Sequence, residues 1–149
     1  MKLVLIETQG FEVSVTGTVT SAWQVIGGYT NQKATVTSAT ARASEGARLP
    51  LVPRNSVSLW NRYQLTHGLG LGLGVLYQDE MFAAIDDAVI LPSFTRVDAA
   101  AYYLVSQRLR LQANLENLLD EGYFPTADNN NNITPGSPRA LRVTAVTSF

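Results

Sequence analysis

The stretch Leu69-Gly70-Leu71-Gly72-Leu73-Gly74-Val75-Leu76-Tyr77-Gln78 places a bulky apolar residue at every second position, with glycines between most of them. Successive side chains of a β-strand point to opposite faces, so this period of two predicts a strand with one apolar face. The glycines do not fit the phosphate-binding pattern G-x-G-x-x-G, and no helical pattern follows them. We therefore interpret them as strand residues that leave space on the second face.

The same alternation recurs along the whole chain. Six further segments show it: 11–16, 23–30, 56–65, 97–104, 109–116 and 141–149. Segment 97–107 also has the alanine content of a helix, but Tyr102, Tyr103 and Val105 favour a strand. Short connections near 20–21, 66–68 and 106–108 alternate with long connections at about 37–54, 79–94 and 125–139. The predicted fold is all-β: an antiparallel up-and-down meander of about seven strands, each of roughly ten residues.

Composition excludes several classes of protein. The chain has 149 residues, 11 basic and 12 acidic, and its net charge of -1 argues against a nucleic-acid partner. It has no cysteine and one histidine, so a thiolate metal site, a cysteine nucleophile and a multi-histidine metal site are impossible. The carboxylate pairs have no nucleophile or base near them in sequence. We expect neither an enzyme nor a bound metal.

The alternation fits two kinds of β-protein. In a membrane barrel the apolar face meets lipid, tight turns lie on one side of the membrane, and long loops lie on the other. In a soluble sandwich the apolar face lies in a core. The regular order of short and long connections, and the absence of charges from the apolar positions of the predicted strands, favour an incomplete segment of a transmembrane β-barrel. The alternative is a small soluble antiparallel β-protein with a binding or structural role.

Five segments, in order and at characteristic spacing, resemble the C-terminal end of TonB-dependent siderophore receptors. They are Gly10-Phe11-Glu12 with Trp23-Gln24, Arg48-Leu49-Pro50-Leu51-Val52-Pro53-Arg54, Leu91-Pro92-Ser93-Phe94-Thr95-Arg96-Val97-Asp98, Asn114-Leu115-Glu116-Asn117-Leu118-Leu119-Asp120 with Tyr123-Phe124, and Asn132-Ile133-Thr134-Pro135-Gly136-Ser137-Pro138-Arg139. Together they cover about residues 7–149. The last two segments, followed by a terminal phenylalanine, carry most of the resemblance.

The resemblance implies a C-terminal portion of a receptor barrel over residues 1–149, without a plug domain or a signal peptide. Residues 1–6 match the family least, which is consistent with a non-native start. A complete receptor has a plug inside a barrel of about 22 strands in the outer membrane of a Gram-negative bacterium. Its implied partners are a ferric siderophore as transported ligand, the TonB system, outer-membrane lipid and the barrel-assembly machinery. No directly bound cofactor is implied.

The resemblance also directs attention to particular side chains. Ferric siderophores are often anionic and partly aromatic, so a binding site needs arginines and aromatic rings near the outer end of the polar face. The alternation of side-chain direction along the predicted strands, and their order, place five residues there: Arg54, Phe82, Phe94, Arg96 and Arg142. Packing of the loops against the wall is the alternative role for each of them. The terminal Phe149 is the expected barrel-assembly signal.

Seven strands alone should not form a stable wall. An antiparallel up-and-down barrel normally closes with an even number of strands, and each open edge of about ten residues leaves roughly five N–H and five C=O groups unpaired. In hydrocarbon each such group costs several kcal/mol. We therefore expect the isolated chain to be inactive.

Overall fold

The computed structural model describes residues 5–40 and 43–148. Within those ranges the strands are β1 (Ile6–Thr20), β2 (Trp23–Val36), β3 (Asn55–Gln64), β4 (Leu69–Gln78), β5 (Met81–Phe82), β6 (Ile90–Leu91), β7 (Phe94–Ser106), β8 (Leu109–Glu116), β9 (Thr126–Asn129), β10 (Asn132–Thr134) and β11 (Ala140–Thr147). The described part of the chain contains no helix that is long and apolar enough to cross a membrane.

Seven of these strands form one antiparallel sheet in the order β1-β2-β3-β4-β7-β8-β11. Each strand pairs with the next long strand along the chain, which confirms the predicted meander. The predicted strand over 97–107 is also confirmed, as part of β7. Three strands are longer than the roughly ten residues expected: β1 has 15 residues, β2 has 14 and β7 has 13.

The connections alternate in length as predicted. Tight turns at 21–22, 65–68 and 107–108 lie at one end of the sheet, which we call the turn end. Long connections at 37–54, 79–93 and 117–139 lie at the other, the loop end. The third connection begins at residue 117, earlier than the predicted 125. Asn117 and Asp120 have positive φ angles of 51° and 56°, which end the extended strand at Glu116.

The two faces of the sheet separate apolar from charged side chains over β3, β4, β7, β8 and β11, whereas Glu7 of β1 and Lys33 of β2 lie at apolar-face positions near the loop end. Directly opposed residues of neighbouring strands share a face. Their register puts five charged residues on one face, as predicted: Arg62, Asp98, Arg110, Glu116 and Arg142. It puts Leu71, Leu73, Leu111 and Val143 on the other, again as predicted. Phe149, predicted for this apolar face, lies outside the described residues. We call the two sides the polar face and the apolar face.

Aromatic residues form two rows on the apolar face. At the turn end Trp23 opposes Tyr63, and at the loop end Val57 lies between Tyr29 and Tyr77. The rows are ~20 Å apart along the strand, taking ~3.4 Å per residue between Trp23 and Tyr29. Leu71, Leu73 and Val143, on the same apolar face of the sheet, are exposed. An exposed apolar face edged by aromatic rows is typical of a sheet that contacts lipid.

Most of the buried core lies in the long connections, and the rest lies in strands of the sheet, at Ala34 and Val36 of β2 and at Phe94 and Ala100 of β7. One cluster contains Met81, Ala83, Leu91 and Ala127, with Val89 and Ile133 packed against it. A second contains Val36, Ala43 and Ala47, with Leu49 and Ile85 packed against it. The short hairpins β5–β6 and β9–β10, which the alternation does not predict, supply part of the first cluster. The three long connections therefore fold together into one unit, which we call the cap.

Candidate functional site

Hydrogen bonds join the three connections of the cap to one another. The amide of Arg48 donates to the Asp87 carboxylate at 3.1 Å, and the amide of Leu51 donates to the Phe82 carbonyl at 2.9 Å. The side chain of Asn130 donates to both carboxylate oxygens of Asp86, at 3.1 and 2.8 Å. The cap thus presents side chains from distant parts of the sequence in a fixed relation to the polar face.

The surroundings of the Asp86 carboxylate favour its ionised form. The hydrogen bond from the Asn130 side chain, followed by one from the Ala88 amide, holds the pKa of Asp86 below its ordinary value of 3.8. Both bonds favour the charged form because a carboxylate is the better acceptor. This contact between the second and third connections therefore depends on a negative charge.

Asn117 anchors the third connection to the sheet. It is 1% exposed, and its side-chain amide donates to the carbonyls of Glu121 and Ser137, at 2.9 and 3.1 Å. Its side-chain oxygen accepts from the Glu121 amide at 2.9 Å, and its own amide donates to the Asp98 carboxylate at 2.8 Å. The family-like segment around Asn117 is therefore a structural joint between β8, β7 and the cap.

Two of the predicted site residues lie beside this joint. Phe94 is 6% exposed, and its ring packs on Tyr123 with centroids 4.5 Å apart. Arg96 forms an ion pair with Asp98 at 2.8 Å and donates to the Tyr123 hydroxyl at 3.1 Å. Gly136 lies under the Tyr123 ring, where any Cβ would overlap it. Phe94 and Arg96 are thus engaged by the cap and hold Tyr123 in place.

A third predicted residue, Arg54, lies at a cavity beside the ends of β2 and β4, which we call the cap cavity, and a fourth, Phe82, contacts a residue that lines it. Arg54 is exposed and lines this cavity, of about 300 Å³, together with Lys33, Arg48, Asp79 and other residues. The guanidinium of Arg48 lies 5.1 Å from the centroid of the Phe82 ring, at a distance that permits a cation–π contact. The structure therefore brings Arg54 and Phe82 near each other through Arg48, which the sequence analysis did not single out.

The fifth predicted residue, Arg142, lies deeper on the polar face. It is close to Glu116 at 3.6 Å, and its side chain remains 72% exposed. It lines a second cavity, of about 280 Å³, with Trp60, Arg96, Asp98 and Glu116 among the other residues. The five predicted residues thus divide into Arg54 at the cap cavity, Phe82 against Arg48 of the same cavity, and a group of three along the polar face.

Glycines of β4 give the polar face its shape. A Cβ at Gly74 would overlap the Trp60 indole, and Gly72 also lies against that ring. Beyond these glycines Arg62 reaches from β3 to β7, where its guanidinium lies 4.5 Å from the centroid of the Tyr102 ring. The role of the glycines as strand residues that leave space is confirmed, whereas nothing in the sequence pattern indicated the contact between Arg62 and Tyr102.

Metal coordination has no obvious place in this arrangement. Within residues 5–40 and 43–148, no three His, Cys, Asp or Glu side chains are grouped so that they could hold a metal ion. The chemistry that the described side chains offer is recognition of anions and aromatic rings by arginines, tyrosines and a tryptophan.

Comparisons with known proteins agree with this architecture. The sequence model of the family described as "TonB dependent receptor-like, beta-barrel" matches residues 6–118. The chain is 39% identical over 147 residues to the catecholate siderophore receptor Fiu of Escherichia coli K12, covering 95% of this chain and 19% of that receptor. It is 30% identical over 131 residues to PiuA of Acinetobacter baumannii, a probable TonB-dependent siderophore receptor, covering 81% of this chain and 18% of that protein. The chain thus spans about a fifth of the length of these relatives.

Solved structures of siderophore receptors are also similar to this chain. The closed form of the ferric-catecholate import receptor Fiu from E. coli K12 superposes with a TM-score of 0.87 at 36% identity, covering 98% of this chain and 21% of that one. The siderophore receptor PiuA from A. baumannii gives a TM-score of 0.87 at 28% identity, covering 97% of this chain and 22% of that one. Seven strands, the tight turns and the long connections therefore correspond to about a fifth of a much larger receptor.

Proposed function

Because this chain belongs to the TonB-dependent receptor β-barrel family, we propose that it forms seven consecutive wall strands of a receptor that imports ferric siderophores. The observation that carries the proposal is the separation of apolar and charged faces across β3, β4, β7, β8 and β11, in a chain that superposes on Fiu over 98% of its length. The chain spans about a fifth of such receptors, so import is an activity of the whole receptor. Family membership favours this role over that of a small soluble β-protein.

The faces and ends of the sheet support one orientation in a Gram-negative outer membrane. The apolar face with its two aromatic rows meets lipid, and the polar face lines the lumen. The tight turns lie in the periplasm, and the cap lies outside the cell. Transport is the proposed activity, because the lumen side chains are suited to holding an anion and the similar proteins are TonB-dependent receptors.

The partners follow from this placement. Residues 1–149 would supply the C-terminal portion of the barrel, and a plug domain and the link to the TonB system would come from other parts of the receptor. The apolar face would contact outer-membrane lipid. Phe149, as the terminal aromatic residue, would be read by the barrel-assembly machinery. No cofactor is needed, since the ferric siderophore is the cargo.

The ligand class is a ferric catecholate. The relative with 39% identity is a catecholate siderophore receptor, and iron(III) catecholates are anionic and aromatic. Arg54 offers exposed positive charge at the cap cavity, and Arg48, which also lines it, contacts the Phe82 ring. Arg142 would meet the ligand deeper in the lumen, because its side chain is largely exposed. Phe94 and Arg96 would act mainly by positioning Tyr123 and the cap.

The proposal is tested in the complete receptor that contains this chain, expressed in a strain lacking its own siderophore receptors. The probe is ferric 2,3-dihydroxybenzoate, the iron(III) complex of a simple catecholate. Growth on this complex as the iron source, together with heat-modifiable migration of the receptor in detergent extracts, is the expected result. Absence of both growth and binding for a panel of ferric catecholates and hydroxamates would contradict the proposed function.

The predicted site is tested with the double variant Arg48→Gln/Arg54→Gln. We expect its affinity for the ferric catecholate to fall by about ten-fold, because two charges that face the ligand are lost. The matched control is Arg139→Gln, which removes an exposed arginine of the cap outside this cavity. An equal loss of affinity in both variants, or no loss in either, would show that the ligand does not bind at the cap cavity.

A further inference from the structure

The apolar face of β2 becomes polar near the loop end. Its positions hold apolar side chains or glycine from Trp23 to Tyr29. The next three positions on that face are polar: Asn31, Lys33 and Thr35. The opposite face changes in the reverse sense, because Ala34 and Val36 are buried there. Just beyond the aromatic row at the loop end, β2 therefore turns polar side chains outward and apolar ones inward.

β1 changes at the same level. Phe11 is its last aromatic residue on this face, and the ring lies edge-on to Tyr29 with centroids 5.6 Å apart. Next on the same face come Gln9, directly opposite Lys33, and then Glu7. The Gln9 amide donates to the Glu7 carboxylate at 2.6 Å. The polar positions of the two strands form one surface, which we call the outer patch: Glu7, Gln9, Asn31, Lys33 and Thr35.

A lateral row of hydrogen bonds marks the boundary between the apolar face and the outer patch. Asn31 donates to the Asn55 side chain at 2.7 Å, and Asn55 donates to Asp79 at 2.6 Å. The hydroxyls of Tyr29 and Tyr77, from the aromatic row, donate to the same Asn55 and Asp79 side chains. Tyrosine lies at a bilayer interface with its ring toward hydrocarbon and its hydroxyl in the polar zone. The outer patch therefore begins where hydrocarbon ends.

The exposure of the outer patch does not result from the missing parts of the receptor. A plug domain would lie on the polar face, which is the other side of the sheet. Both neighbours of this part of β2 belong to this chain: β1 on one edge, and Arg48, opposite Thr35, on the other. Lys33 is exposed there and has no ion pair with any carboxylate of residues 5–40 and 43–148.

The outer patch lies at the level of lipid headgroups in the proposed orientation. Lys33 is four residues beyond Tyr29, which is ~14 Å along the strand and ~10 Å along the membrane normal at a tilt of about 40°. The outer leaflet of a Gram-negative outer membrane contains glycolipid whose sugars carry phosphate groups. An ammonium group donates to phosphate, and the amide of Gln9 and the hydroxyl of Thr35 can bind sugar hydroxyls.

We propose that the outer patch docks the phosphorylated sugar headgroup of an outer-leaflet glycolipid, with Lys33 at a phosphate and Gln9 and Thr35 beside the sugar. The acyl chains then lie against Phe11 and Tyr29, so the docking surface continues the lipid contact of the apolar face. The proposal rests on the proposed function for the orientation of the sheet. It adds a binding surface outside the barrel, on the other side of the wall from the transport path.

The test places a photo-reactive residue beside Lys33 in the complete receptor. Because Lys33 also lines the cap cavity, the readout is lipid contact and not uptake. Gln9→p-benzoylphenylalanine should give, on irradiation of intact cells, an adduct that an antibody against the glycolipid core sugars detects. Adding Lys33→Gln should lower the adduct yield by about five-fold, because the charge that holds the phosphate is lost, whereas Lys33→Arg should keep most of it. In reconstituted vesicles, dephosphorylating the glycolipid should lower the yield to the same extent.

The matched control is Thr8→p-benzoylphenylalanine, which places the same probe one residue away on the opposite face. It should give no glycolipid adduct. Equal yields from the two positions, a yield unchanged by Lys33→Gln, or adducts to protein alone would overturn the proposal. An adduct at position 9 to inner-leaflet phospholipid would instead remove the proposed orientation. Growth on ferric 2,3-dihydroxybenzoate tests the proposed function separately, since it does not depend on this adduct.

Discussion

At the residue scale, the joint at Asn117 shows how one side chain can organise a long connection. Its backbone has a positive φ angle of 51°, which asparagine tolerates better than most residues. This conformation ends β8 and turns the chain, so that the buried side-chain amide meets two carbonyls from the third connection. Local backbone geometry and buried hydrogen bonding thus require asparagine for separate reasons.

We predict that Asn117→Ala destabilises the receptor by about 1–3 kcal/mol, because it removes the hydrogen bonds that the buried Asn117 side chain makes with the backbone of Glu121 and Ser137. The free energy of unfolding, from denaturant titration of the receptor in detergent, measures the effect. Asn131→Ala, an exposed position of the same connection, should change this value by less than about 0.5 kcal/mol. Equal stability of the two variants would show that Asn117 is dispensable.

The site residues show what a sequence can and cannot indicate at this scale. The sequence alone places Arg96 and Arg142 on the polar face, because successive side chains of a strand alternate between the two faces of the sheet. It could not indicate that Arg96 is engaged by Tyr123, or that Arg48 contacts Phe82, because these contacts join residues 27 and 34 positions apart through folded connections. Long-range partners depend on how the cap packs, which no local pattern specifies.

At the scale of elements, the long strands were predictable and the small ones were not. Each long strand repeats its period of two often enough to be unmistakable, and its register follows from the tight turn before or after it. The hairpins β5–β6 and β9–β10 have strands of two to four residues, too short to show any period. Their strands form because Met81, Leu91 and Ala127 bury one another, a tertiary cause that outweighs local preference.

The alternation of faces yields a matched pair of variants in β11. We predict that Val143→Arg, on the apolar face, destabilises the receptor in the membrane by about 2–4 kcal/mol, because it puts a charge in lipid. Thr144→Arg, on the polar face of the same strand, should be close to neutral. The amount of heat-modifiable receptor in the outer membrane measures both. A larger loss for Thr144→Arg than for Val143→Arg would reverse the assignment of the two faces.

The contact between the second and third connections should depend on pH. The pKa of Asp86 is lower in the folded state than the ordinary 3.8, mainly because of the bond from Asn130. A depressed pKa means that the contact stabilises the cap at pH above 3.8, and that this contribution is lost as pH falls through the lower, folded-state pKa. Hydrogen exchange of the amides at 84–90, corrected for intrinsic rates, should therefore quicken in that acidic range.

The control for this pH effect is Asp86→Asn, which cannot ionise. Its amide exchange at 84–90 should be faster than that of the wild type at neutral pH, and it should lack the additional acceleration at low pH. A wild-type profile that matches that of Asp86→Asn throughout would mean that the carboxylate does not hold the two connections together.

At the scale of the whole molecule, the sheet is open. β1 and β11 each pair with one neighbour, so about half of the N–H and C=O groups of each strand point away from the sheet. Hydrocarbon cannot satisfy these groups, and the cost of several kcal/mol for each exceeds what the cap could offset. The barrel wall to which these strands belong must therefore be completed by other strands.

We predict that the isolated chain, exported to the periplasm of a strain lacking siderophore receptors, neither binds ferric 2,3-dihydroxybenzoate tightly nor supports growth on it. The complete receptor should restore growth, and Phe149→Ala in that receptor should lower the amount assembled. Growth by the isolated chain above the empty-vector level would show that seven strands can transport without a completed wall.

The folding of three distant connections into one cap has a consequence for immune recognition. In the proposed orientation, the surface outside the cell brings together residues 43–54, 79–93 and 117–139, held side by side by two small apolar clusters. Antibodies raised against intact cells should therefore bind discontinuous epitopes, and a peptide copied from any single connection would lack the neighbours that shape it. An immunogen would need all three connections on a common scaffold.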